Sequence, residues 1–306
     1  MKKIFKNPIF TFILGIILCC VTIVLAESIN SNEVLYDNSN SNTSLGNVQD
    51  VLDDLYNIYD HSGVGFSLLT RNPGDLSTEL IGGLYRYQGV QDANNDVDNY
   101  ICFGTTNKNT CTGDTDKYMY RIIGINGSGQ MKLIKKEALN TAYQWNSSNG
   151  VEWPNSDLYN GLNGNYFFTN TDYVPDSTWS NRIASNDWHY LSIASRDLSN
   201  ILEQELAAPT INAKIGLMYL HDISNSNSWL YLGNNDAGAP QTKEWSITRW
   251  DGTIIFVPNS SGTIVYADMT VGGPRNTYSV RPVFFLRATK RIASGNGTIA
   301  DPYILS

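Results

Sequence analysis

The chain has 306 residues, of which 42% are hydrophobic and 16% charged, and its net charge at neutral pH is −8. This apolar fraction suits a globular protein and excludes a wholly disordered one. The acidic balance excludes nucleic-acid binding, because that function needs a basic surface. The length allows one large domain or two small ones.

The N-terminal residues 1–26 read as a signal or anchor segment. Lys2, Lys3 and Lys6 precede an uncharged run over residues 9–26. That run is near the lower limit of a transmembrane helix, about 17–25 residues, and longer than a signal-peptide core of about 7–15. Lysines stay on the cytoplasmic side, so we expect a single-pass cell-membrane protein with its C-terminal domain outside. The alternative is a protein secreted after cleavage at Ala26.

Two segments of different character follow. Residues 27–47 are rich in Ser and Asn, which is typical of a flexible polar stalk. Residues 48–61 are predicted to form an amphipathic helix, because apolar side chains recur at helical spacing. An isolated helix of this length is only marginally stable in water. We therefore expect it to pack on its own domain, on a second copy of the chain, or on a partner.

Residues 62–306 carry mainly strand signals separated by long loops. An Asn126-Gly127 pair between two apolar runs predicts a β-hairpin. Two short helices are predicted, over 153–163 and 195–206. The fold class is therefore α+β, with a loop-rich mixed sheet. The predicted strands are 84–87, 100–103, 118–125, 131–134, 215–220, 245–250, 262–266 and 280–286.

The four cysteines fall into two groups. Cys19 and Cys20 lie inside the apolar N-terminal run, where small hydrophobic side chains fit. Cys102 and Cys111 lie in the domain expected outside the membrane, separated by a short polar stretch. In an oxidising compartment this spacing predicts a disulfide. A metal or redox site is disfavoured there, because no histidine is near and the spacing is not C-x-x-C.

Several motifs in this domain occur in a familiar order. Trp153, Ser156, Leu158, Leu162 and Asn163 form a W-x-x-S-x-L-x-x-x-L-N pattern, a Trp-Ser-Ile-Thr-Arg strand follows at 245–249, and a Val-Arg-Pro strand at 280–286 closes the domain. The pattern resembles a family of bacterial surface domains of unknown function, similar to the formylglycine-generating-enzyme branch of the C-type lectin-like fold. The resemblance implies a C-type lectin-like domain outside the cell.

Two departures limit what the resemblance implies. No cysteine follows Cys111, so the oxidase chemistry of formylglycine-generating enzymes is not carried over. The calcium-binding triplets of C-type lectins are absent as well. Two oxygen-rich triplets, 155–157 and 234–236, fit a helix cap or a turn better than a calcium site, which needs about 6–8 converging oxygens. We therefore expect no metal and no other cofactor, and calcium is unsupported.

Catalytic residues are not predicted. His61, His189 and His221 are dispersed, and the His221-Asp222 and Asp187-Trp188-His189 clusters are weak signals for a nucleophilic site. Many acidic residues are present, which leaves an extracytoplasmic hydrolase with a carboxylate pair as an alternative.

The aromatic residues carry the leading functional hypothesis. Seven Trp and 18 Tyr are present, and several stand in polar loops. Exposed rings beside polar side chains stack on sugars or anchor protein partners. We therefore predict a cell-surface binding or adhesion module for a glycan or protein ligand, held at the membrane by its N-terminal segment. A structural component of an envelope or pilus-like assembly is a further alternative. The predicted ligand-binding residues are Trp229, Trp245, Arg249 and Trp250.

Overall fold

The computed structural model describes most of the predicted extracytoplasmic domain. The described residues are 64–71, 74–89, 96–164, 167, 173–174, 177–190, 192–193, 198–230, 243–250, 254–258, 264–268, 273–289 and 291–306. The expected N-terminal segment, stalk and amphipathic helix lie outside them. Within these ranges, no helix combines the length and the apolarity needed to cross a bilayer.

The elements alternate between short strands and short helices. The helices are α1 (Val64–Arg71), α2 (Lys108–Gly113), α3 (Thr115–Tyr118), α4 (Asp157–Asn163), α5 (Ser177–Ser180), α6 (Ile201–Leu206) and α7 (Leu220–Asn225). The strands are β1 (Leu76–Ile81), β2 (Leu84–Tyr87), β3 (Tyr100–Cys102), β4 (Met119–Asn126), β5 (Met131–Lys135), β6 (Tyr143–Gln144), β7 (Ile183–Ala184), β8 (Asn186–His189), β9 (Ser192–Ile193), β10 (Thr210–Ala213), β11 (Ile215–Gly216), β12 (Arg249–Trp250), β13 (Ile254–Pro258), β14 (Ile264–Asp268), β15 (Thr277–Tyr278), β16 (Val283–Leu286), β17 (Ile292–Ser294) and β18 (Ile304–Leu305).

One eight-stranded sheet organises the domain. Its main path runs β1-β2-β4-β5-β16-β11, with β3 added beside β4 and β7 beside β16. Every pairing in this sheet is antiparallel. Strands β4 and β5 are buried at almost every position, so their side chains do not alternate between the interior and solvent, and the buried set includes the charged residues Arg121, Lys132 and Lys135. The α+β class is therefore confirmed, whereas the mixed sheet expected from the sequence is not what forms here, because every pairing in this main sheet is antiparallel.

The predicted hairpin joins β4 to β5. Asn126 ends β4, and its backbone N–H donates to the carbonyl of Gln130 at 3.0 Å. The Asn126 side-chain oxygen accepts from the backbone N–H groups of Ser128 and Gln130, and these two hydrogen bonds stabilise the turn. Gly129 has a φ of 79°, a value that a glycine adopts without steric cost. The hairpin prediction is confirmed.

Smaller ladders surround the main sheet. They pair β8 with β10, β6 with β15, and β17 with β18, while β14-β13-β12-β9 forms a four-stranded sheet. Strands β9 and β12 of this smaller sheet run parallel, so mixed pairing is found there and not in the main sheet. The predicted strands at 215–220 and 245–250 are shorter than expected, since only β11 and β12 form there.

The predicted disulfide between Cys102 and Cys111 is present. It links the end of β3 to α2, and both cysteines are fully buried. The polar stretch around Cys111 contains two helices that the sequence analysis did not predict. Their N-caps are Asn107 and Asp114, whose side-chain oxygens accept from backbone N–H groups in the first turn. The expectation of only two short helices is therefore wrong, because side-chain caps sustain helices too short to show apolar periodicity.

We predict that this disulfide contributes about 2–3 kcal/mol to the free energy of unfolding, as expected for a loop of this length. Urea unfolding with and without a reducing agent measures the effect. The C102A/C111A double variant should lose a similar amount and no longer respond to the reducing agent. A wild-type curve that the reducing agent leaves unchanged would contradict the prediction.

Candidate functional site

An open cleft lies beside helix α4. Its volume is about 340 Å³, near the lower end of the range for small-ligand sites. One side is the helix, and the other is the short ladder of β6 and β15. The buried side chains of Leu139, Leu158 and Leu162 line it with apolar surface. Tyr143 of β6 adds a half-buried aromatic ring.

Helix α4 is held at both ends. Ser156 is its N-cap, and the Ser156 hydroxyl accepts from the backbone N–H of Tyr159 at 3.0 Å. At the other end, the Asn163 amide donates to the carbonyl of Ile215 and accepts from its N–H, both at 2.9 Å. These bonds join the helix to β11 of the main sheet. The cap interpretation of the triplet 155–157 is confirmed.

Gly161 lines the cleft and leaves space beside helix α4. A Cβ placed on this residue would meet no atom within 4 Å, so the space beside it is unfilled. Gly161 lies inside a helix, where glycine costs about 0.5–1 kcal/mol relative to alanine. No positive φ requires glycine here. The position therefore accepts larger side chains, and these would project into the cleft.

The rim of the cleft is polar. Asp157, Gln144 and Thr277 are exposed side chains that line it. Asp157 accepts from the N–H of Ser147 through Oδ2 at 2.7 Å, and its own N–H donates to Asn146 Oδ1 at 2.9 Å. The cleft is thus lined by a carboxylate, an amide and a hydroxyl as well as by an aromatic ring. No lining residue is cationic, so the cleft favours a neutral polar ligand over an anion.

Three packed indole rings lie in the interior next to the cleft residue Tyr143. Trp145 contacts Trp153 at 5.3 Å and Trp245 at 5.8 Å between ring centroids. Trp245 also contacts Tyr278 of β15 at 4.6 Å. The Trp245 indole N–H donates to the carbonyl of Tyr143 at 2.7 Å. This predicted ligand-binding residue therefore fixes the backbone of a cleft residue from the protein interior.

Three of the four predicted ligand-binding residues lie in the interior. Trp229 is 2% exposed, Trp245 0% and Arg249 1%. The expectation that they present an open surface is wrong, because in this loop-rich fold Trp and Arg side chains fill the space between loops. Trp250 lies in β12, and its side chain is outside the described atoms. Ligand contact by any of the four stays a prediction.

Trp229 belongs to a stacked arrangement around one cation. The Arg121 guanidinium lies 4.7 Å from the Trp229 ring and 4.3 Å from the Tyr100 ring. The Trp229 indole N–H donates to the carbonyl of Tyr87 at 3.2 Å. Burial lowers the pKa of Arg121 to about 10, a value at which the side chain is still cationic at neutral pH. Trp229 therefore stabilises a buried charge.

A buried ion cluster surrounds Asp222, and the sequence analysis did not predict it. Asp222 Oδ1 lies 2.8 Å from Arg86 Nη1, and Asp222 Oδ2 lies 2.5 Å from Lys132 Nζ. His221 Nδ1 lies 2.6 Å from Glu205 Oε2. Burial by itself would raise the pKa of Asp222, but Lys132 and Arg86 hold that pKa below its usual range. Burial lowers the pKa of Lys132.

This cluster does not form an open active site. The side chains of Asp222, Glu205 and His221 are at most 3% exposed, so an external substrate cannot reach them. Among the described residues, no group of three or more His, Cys, Asp or Glu side chains is arranged to hold a metal. His189 lies apart, with Nδ1 2.8 Å from the carbonyl of Ala208. His61 and the triplet 234–236 lie outside the described residues.

The chain matches no family model, no curated protein and no solved structure. Its function has therefore to be argued from the geometry of the cleft and of the buried cluster.

A second buried ion pair lies next to Trp245. Arg281 donates to both carboxylate oxygens of Glu244 at 3.0 Å, and its Nη2 donates to the carbonyl of Leu230 at 2.5 Å. Both side chains are about 2% exposed. Burial raises the pKa of Glu244 even though Arg281 lowers it. The folded protein therefore holds a proton on Glu244 to higher pH than the unfolded chain does.

We predict that Glu244 makes stability fall as pH rises through the window just above 4.3, the ordinary glutamate pKa. In that window the folded state binds more protons than the unfolded state, so deprotonation favours unfolding. In E244Q this decrease in the free energy of unfolding with rising pH should be absent. The slope that Glu244 contributes is at most about 1.4 kcal/mol per pH unit. Urea unfolding between pH 4 and 7 measures it. E79Q, on exposed β1, is the matched control, and parallel wild-type and E244Q profiles would refute the assignment.

Proposed function

We propose that this chain is a cell-surface binding module, and that the cleft beside Gly161 is its ligand site. The observation that carries the proposal is a preformed, open cleft whose apolar walls meet a rim of one carboxylate, one amide and one hydroxyl. Both sides of the cleft are fixed by hydrogen bonds, so little conformational entropy is lost on binding. The N-terminal segment is proposed to hold the module at the membrane or to direct its secretion.

The ligand is proposed to be a glycan, bound through one sugar ring. The half-buried ring of Tyr143 offers an apolar face for sugar C–H groups, and Asp157, Gln144 and Thr277 offer hydrogen-bonding partners for hydroxyls. The volume suits one compact group and not an extended apolar molecule. A polar side chain of a protein partner would satisfy the same geometry.

The fold is proposed to be C-type lectin-like. Support comes from the predominantly antiparallel sheet, from the Trp153–Asn155 turn that leads into the capped helix α4, and from the Val-Arg-Pro segment that leads into strand β16. A hydrolase with a carboxylate pair is the weaker candidate, because the closely placed Glu205 and Asp222 are sealed from solvent.

The test is a binding screen of the full chain, kept in a detergent that contains no sugar. Glycan arrays and immobilised envelope fractions are the probes, with and without a calcium chelator. G161W should fill the cleft and weaken binding by at least about tenfold. G161A is the matched control, since one methyl group leaves most of the cleft open, and it should retain binding.

Three outcomes separate the hypotheses. Binding that G161W leaves unchanged would place the ligand elsewhere, and W250A would then test the originally predicted surface. Loss of binding in the chelator would show that a metal takes part. The absence of any glycan or envelope ligand would overturn the binding-module proposal.

A further inference from the structure

We propose that Lys132 and Asp222 are joined by an intramolecular amide bond, formed by condensation of their side chains. Lys132 Nζ lies 2.5 Å from Asp222 Oδ2, and the two side chains are 2% and 0% exposed. The two residues are 90 positions apart, so the bond would connect β5 of the main sheet to helix α7. The bond would form whether or not the cleft binds a ligand.

The site excludes water and favours a neutral amine. Lys132 Nζ lies 4.5 Å from the Tyr219 ring and 5.7 Å from the Trp188 ring. Desolvation disfavours the ammonium form, and the pKa of Lys132 is lowered accordingly. An amine freed of its proton is a nucleophile, and a dry site prevents hydrolysis of the product.

Hydrogen-bond donors are placed on both oxygens of the carboxyl group. Arg86 Nη1 donates to Asp222 Oδ1 at 2.8 Å, and the backbone N–H of Tyr219 donates to Asp222 Oδ2 at 2.9 Å. When the amine attacks Cγ, negative charge develops on these oxygens. Fixed donors at these positions stabilise that charge, as in the oxyanion holes of acyl-transfer enzymes.

A proton path leads to one oxygen of the carboxyl group. His221 Nε2 lies 3.6 Å from Asp222 Oδ1, and His221 Nδ1 lies 2.6 Å from Glu205 Oε2. Glu205 also accepts hydrogen bonds from the backbone N–H groups of Leu220 and His221, which fix its orientation. His221, held by Glu205, thus lies on the side of Oδ1, where it can give the departing oxygen a proton.

The step balances without an external reagent. The Lys132 ammonium first passes one proton to the Asp222 carboxylate, which turns the ion pair into a neutral amine and a carboxylic acid, the form of the carboxyl group that an amine can attack. The nitrogen gives up a second proton as the new bond forms and keeps the third as the amide N–H. A bond forms between Nζ and Cγ of Asp222, the bond from Cγ to Oδ1 breaks, and Oδ1 leaves with both protons as water. Before the reaction the cluster contains two cations, Arg86 and Lys132, and two carboxylates, Asp222 and Glu205. After the reaction only Arg86 and Glu205 carry charge, so the cluster is neutral in both states.

Tryptic peptide mapping of the full chain tests the proposal. Trypsin does not cleave after an acylated lysine, so peptide 122–135 should remain intact and be joined to peptide 215–243, with the loss of one water. Lys135 is an internal control on the same strand, because its Nζ contacts a backbone carbonyl, that of Asp116, instead of a carboxylate. Trypsin should therefore cleave after Lys135 as usual.

A linked peptide whose fragmentation places the bond on Lys132 and Asp222 supports the proposal, in whatever fraction of molecules it occurs. Complete recovery of separate peptides, with cleavage after Lys132, overturns it. K132M should abolish the linked peptide. E205Q should slow its formation in refolded protein, and an unchanged rate in E205Q would remove Glu205 from the proton path.

Discussion

The side chain of Asp222, the ion-paired carboxylate from which the proposed amide would form, is the constraint that joins β2, β5 and helix α7. A buried carboxylate is costly unless cations and N–H groups surround it. Arg86 comes from β2, Lys132 from β5, and the Tyr219 N–H from the start of helix α7. These groups reach Asp222 only when the sheet and the helix have their final arrangement. The cluster therefore disfavours alternative packings of α7 on the sheet.

Other buried cations hold the loops. Arg121 of β4 donates to the carbonyl of Trp229 at 3.0 Å, and Arg281 donates to the carbonyl of the adjacent Leu230. Loops placed inside a protein carry carbonyl groups that no ladder satisfies, and each of these groups needs a donor. Long cationic side chains from the sheet and the segment before β16 supply such donors. This explains how a chain with few charges can bury several of them and still pack irregular segments.

The sequence predicts the parts of the fold that depend on neighbouring residues. Runs that are mostly apolar identify β4 and β5, Asn126 identifies the hairpin, Ser156 the helix cap, and the cysteine spacing the disulfide. The ion cluster could not be predicted, since Arg86 and Asp222 are 136 positions apart and each looks like an ordinary surface residue. The signal for the cleft was equally weak, because one glycine inside a predicted helix does not reveal the space beside it.

The aromatic residues show why loop position alone misleads. Trp229 and Trp245 stand in polar segments, and their indole N–H groups would be exposed if those segments followed the surface. Instead each indole N–H donates to a backbone carbonyl, and both rings are buried. Trp188 is packed in a similar way. A Cβ on Gly216 would lie 2.2 Å from the Trp188 ring, so this packing requires glycine at position 216. The rings thus make the loops rigid, and a cleft bordered by rigid loops keeps its shape before a ligand arrives.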